Sequence, residues 1–150
     1  MASIVIRDRK TWRYDIVEPN MVRFRSSKLA AAMRGFNVHR PFYTISQEGV
    51  FAERGYAWDG ATGVLRQTEN LRIPSLVHDI GCQAVNTGAL PRRFRPLFDY
   101  EYYLQSRLYG VSEFRAQLHY AAISLWGMFP KTEPLTPKFT KLYTVNIRGV

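Results

Sequence analysis

The 150-residue chain holds a single cysteine, Cys82. No internal disulfide is available, so the fold has to hold through packing, as suits a reducing compartment, and a secreted disulfide scaffold is excluded. Long apolar runs are also missing. Ile4-Val5-Ile6 is followed at once by Arg7, and no stretch approaches the roughly 18 uninterrupted apolar positions of a membrane span. Neither a secretory leader nor a spanning helix is expected. The sequence has no run of five Lys or Arg, no zinc-finger spacing, no internal repeat and no low-complexity tract, which disfavours specific reading of nucleic acid.

Apolar and aromatic residues are plentiful, at 46% and 14%. That content excludes a disordered polycation and supports one compact domain over residues 1–150. Lys and Arg number 21 against 12 Asp and Glu, a formal net charge of +9, and 16 of those cations are Arg. The excess is not spread evenly. Residues 1–40 carry nine cations and three anions, residues 41–130 eight of each, and residues 131–150 four and one. The two cationic ends suit an anionic membrane surface, an acidic protein neighbour or a phosphate backbone, beside the plainer reading of solvated faces.

Local pattern divides the chain into three parts. Residues 1–54 read as short strands: Ser3 to Ile6, then Trp12 to Val17 with Trp12, Tyr14 and Ile16 on one face, then Met21 to Phe24. Within this part Ser26-Ser27 caps a two-turn helix that stops at Gly35, and Gln47-Glu48-Gly49 joins the strands of a hairpin. Residues 55–128 open with a loop of three glycines, Gly55 to Gly63, and continue as three helices. These run from about Pro74 to Asn86, from Arg92 or Phe94 to Tyr109, and from a Ser112 cap to Trp126. Residues 129–150 form a basic extension in which Pro134 and Pro137 stop any helix and Leu142 to Ile147 suits a last strand. The expected class is α+β, a small antiparallel sheet packed with three α-helices.

One helix carries an anomaly. His78 and Asp79 stand among Leu76, Val77 and Ile80, and an adjacent ionisable pair on a buried helix needs a partner or a task. Asp99, early in the next helix, is placed to reach back to one ring nitrogen of His78, which would fix the tautomer and leave the other nitrogen as a base. Asp59, in the glycine loop, can join Asp79 and loop carbonyls such as that of Gly60 as oxygen ligands for calcium.

The blocks Trp58-Asp-Gly-Ala-Thr-Gly63, His78-Asp79 and Phe98-Asp99, each in order and followed by helices of suitable length, resemble those of a family of small tailed-phage proteins of unknown function, over about residues 55–128. More remotely, a glycine loop, a His-Asp pair on one helix and an Asp on the next is similar to the A2-type phospholipases. That resemblance implies His78 as the base, Asp99 as its orienting carboxylate, Asp79 with the 57–60 loop around a calcium ion, and hydrolysis of a lipid or another envelope ester. The chain departs from that family in lacking its disulfides, in placing Cys82 where a tyrosine is usual, and in the loop reading Ala-Trp-Asp-Gly.

Two functions follow as expectations. The first is a structural and interaction component of a phage particle, in the tail, neck or baseplate region, made in the host cytoplasm and carried in the virion. Other virion proteins would be its partners in an oligomeric assembly, and the His/Asp cluster would brace a helix pair. The second is the calcium-dependent hydrolase. In the plainer alternative His78 is a core histidine, Asp79 or Asp99 pairs with an Arg such as Arg92 or Arg107, Asp59 makes a turn, and His39, His119 and Cys82 are structural.

Overall fold

The computed structural model describes residues 2–9, 14–58, 60, 68–126 and 139–149. Trp12, Asp59, Gly63 and the proline-bearing stretch 129–138, all singled out by the sequence, lie outside the described residues.

The class is α+β, and the described residues form four α-helices and two antiparallel four-stranded sheets. The first sheet joins β1 (Ser3–Arg9), β2 (Tyr14–Glu18), β7 (Ala57–Trp58) and β8 (Phe139–Asn146) in the order β7-β2-β1-β8. The second joins β3 (Met21–Arg23), β4 (Val38–Arg40), β5 (Tyr43–Ile45) and β6 (Gly49–Ala52) in the order β3-β6-β5-β4. The β5–β6 hairpin sets Ile45 opposite Val50 around the turn that its Gln47-Glu48-Gly49 signature predicts. The expected last strand is β8, and it pairs with β1 from Ser3↔Asn146 to Arg9↔Phe139. β2 is buried at Tyr14 and Ile16 as its alternation predicts, and also at Asp15. That carboxylate is neutralised across the pair, where Arg7 stands opposite and its Nε donates to Oδ1 at 2.7 Å.

The helices are α1 (Ser27–Ala32), α2 (Arg72–Asn86), α3 (Arg95–Leu108) and α4 (Glu113–Trp126). Ser26 caps α1, its Oγ accepting from the Leu29 N–H at 3.1 Å. Pro74 falls in the first turn of α2, where its missing N–H would have had no intrahelical partner. α2 lies against α3 and α3 against α4. One core runs from Ile4, Ile6 and Ile16 of the first sheet and Ile45 and Val50 of the second to Leu76, Val77 and Ile80 of α2 and Phe98 of α3. Gly81 sets the spacing of the α2–α3 pair. A Cβ built there would fall 2.2 Å from the Phe98 ring, so the helices approach at a distance only glycine permits.

Candidate functional site

The site is the buried seam of the α2–α3 pair. His78 projects from the middle of α2 with 4% of its surface exposed, and Asp99 from the second turn of α3 with 4%. Their side chains meet: His78 Nε2 donates to Asp99 Oδ1 at 2.7 Å. The same oxygen accepts from Arg95 Nε at 3.0 Å, one helical turn earlier on α3. Asp79 Oδ1 stands 3.8 Å from His78 Nδ1, an ion-pair distance beyond hydrogen bonding. Cys82 Sγ, one turn along α2, lies 3.6 Å from Nδ1 and 3.5 Å from Nε2. The Tyr102 ring closes the site edge-on at 5.5 Å from the imidazole.

Burial alone would lower the pKa of His78. Cys82, Asp79 and Asp99 outweigh it and push the imidazole up to about 10. The direction of the shift favours the protonated ring, and Arg95 and His78 face the carboxylates Asp99 and Asp79. Burial, with Asp79 nearby, raises the Tyr102 phenol, which stays protonated. Its hydroxyl lies 3.3 Å from Nδ1 of His119, and burial lowers the pKa of that second imidazole.

Of the residues expected to hold calcium, Asp59 lies outside the described residues. Gly60 is buried in the left-handed region at φ 73°, and Asp79 has its carboxylate turned to His78. Among the described residues no group of three His, Cys, Asp or Glu is gathered for a metal. The described start of the glycine segment is nonetheless tied to α2, because Trp58, fully buried, donates through Nε1 to Ser75 Oγ at 3.0 Å and Ser75 donates to the Arg72 carbonyl at 3.0 Å.

The arginine on Asp99 is Arg95, not Arg92 or Arg107; Arg107 instead pairs with Glu113, Nε to Oε2 at 2.9 Å. The i,i+4 spacing of Arg95 and Asp99 was the available signal. Glu101 carries a second buried polar cluster that no sequence pattern marks. Its two oxygens accept from the Arg25 N–H at 2.8 Å and the Ser26 N–H at 2.7 Å, and Gln105 Nε2 donates to it at 2.7 Å. His39 is exposed and its Nδ1 lies 2.9 Å from the Thr44 hydroxyl.

No family model, curated protein or solved structure matches the chain.

Proposed function

We propose that this chain is a non-catalytic interaction subunit of a phage particle, in the tail, neck or baseplate region, whose His78, Asp99 and Arg95 lock α2 to α3. One observation carries the brace: the imidazole is sealed from solvent, with Asp99 on Nε2 and with Asp79 and Cys82 beside Nδ1. A ring only 4% exposed, with protein groups facing both nitrogens, leaves little access for a water to be activated there. The particle is suggested by the resemblance of the three sequence blocks and by the cationic ends, which suit acidic neighbours in an assembly or an anionic membrane surface.

The hydrolytic reading rests on the 2.7 Å contact of Asp99 with Nε2, the geometry of an orienting carboxylate behind a base. It requires Nδ1 to lose its proton and Asp79, Asp59 and Gly60 to take calcium. His78→Gln and Asp99→Asn separate the two readings. A brace is expected to give a lower unfolding temperature, less protein incorporated into particles, and no ester hydrolysis to lose with or without calcium. Variants that fold and assemble like the parent but lose a calcium-dependent esterase activity would overturn it.

A further inference from the structure

Among the described residues, α4 is held chiefly by α3. Its inward side chains Ala116 and Ile123 meet Tyr102, Val111 and Leu71 in a small cluster separate from the main core. His119 stands on that same face, three residues after Ala116 and four before Ile123, and is 3% exposed. An imidazole buried in so small an apolar cluster is costly once it is charged. The start of the helix is fastened differently. There Tyr103 donates to Glu113 Oε1 at 2.6 Å and Arg107 Nε to Oε2 at 2.9 Å, just after Gly110 turns the chain at φ 87°. α4 thus has an exposed polar anchor beside a turn, and a buried ionisable group halfway along.

We propose that His119 is a proton-sensitive latch: when its imidazole takes up a proton, α4 swings off α3 about its Glu113 end, while α2 and α3 stay together. The inference goes beyond the brace and does not rest on it. Tyr102 of α3 is the partner of the latch, its hydroxyl 3.3 Å from Nδ1. Burial keeps the phenol protonated, so it can donate to the neutral ring; a protonated ring presents an N–H at the same point, and the hydrogen bond has to reverse. Arg115, one turn earlier on α4, repels the added charge. The carboxylates nearby are engaged elsewhere. Asp79 of α2 acts on Tyr102 but stands 3.8 Å from His78 Nδ1, and Glu113 is taken by Tyr103 and Arg107. Burial and Arg115 therefore hold the ring below the ordinary histidine value of 6.5. Docked α4 binds the proton less tightly than released α4, so docking is complete above about pH 6.5 and weakens as pH falls, by at most about tenfold per pH unit. His78 is shifted the other way, so the same acidification adds no new charge to the α2–α3 seam. Tyr103 and Gln117 hold the Glu113 carboxyl below its usual range, which keeps the hinge end fastened.

Hydrogen exchange of the full chain at about pH 7.5 and about pH 5, corrected for intrinsic rates, tests the latch. Protection of α4 beyond Ala116 is expected to fall about tenfold at the lower pH, with α2 and α3 unchanged. His119→Gln, which stays neutral, is expected to keep α4 equally protected at both. Titration of the His119 ring by NMR in the parent chain needs no substitution and is expected to show a midpoint below the ordinary value. Equal protection of parent α4 at both pH values overturns the inference, as does the same loss in His119→Gln, or a loss that α2 and α3 share. So does a ring that titrates at or above the ordinary value. None of these readouts depends on His78, so a failed latch would leave the brace standing.

Discussion

At His78 the sum of neighbours determines both charge and stability. The folded pKa is raised from 6.5 to about 10, so the stabilisation from its proton is fully present below about pH 6.5 and is lost as pH rises toward about 10. Denaturant unfolding at stepped pH is expected to show this decline, and His78→Ala to flatten it. The same substitution leaves Asp99 buried with Arg95 alone and is expected to cost about 3–5 kcal/mol, read from the urea midpoint. The meeting of His78 and Asp99 was legible in the sequence because two consecutive helices joined by a short turn bring residues 21 positions apart to one seam. The Glu101 cluster was not, since beside its neighbour Gln105 its partners are backbone N–H groups 75 and 76 positions away that carry no side-chain pattern.

Among the elements, the α2–α3 pair depends on what is missing at position 81. Gly81→Ala would gain helix propensity in isolation, but its methyl group meets the Phe98 ring, and Phe98 in turn packs edge-on against Phe24 at 5.9 Å. A net loss of about 1–3 kcal/mol is expected from thermal unfolding, because the ring has no room to retreat. The start of α1 depends on α3. Glu101→Ala removes the acceptor of the Arg25 and Ser26 N–H groups, and about 1–3 kcal/mol of stability is expected to go with the buried Ser26 donor left unpaired, and less with the part-buried Arg25 donor. Hydrogen exchange at Ser26 and Leu29 would report the loosening before global unfolding. Helix limits and the β5–β6 hairpin were legible because caps, glycine stops and turn residues act locally. Asp15 ran against the expected alternation because its cation, Arg7, sits on another strand.

For the whole molecule, β1, β2, β3, β5, β6 and β8 were legible, but β4, β7 and the division into two sheets were not. Strand partners are chosen across the chain, and the glycine loop supplies β7 to the first sheet while the hairpin beside it belongs to the second. β8 illustrates the same non-locality. Removing residues 139–150 is expected to strip β1 of one of its two partners, turn it into an open edge above Ile4 and Ile6, and drive the protein into aggregates, as light scattering would record. The pairing of Ser3 with Asn146 also dictates an order of events during synthesis. While the ribosome is still adding α4, the first strand has one neighbour and waits. Cotranslational folding therefore finishes only after β8 clears the exit tunnel, and a stalled nascent chain presents its N-terminal strand to chaperones for that whole interval.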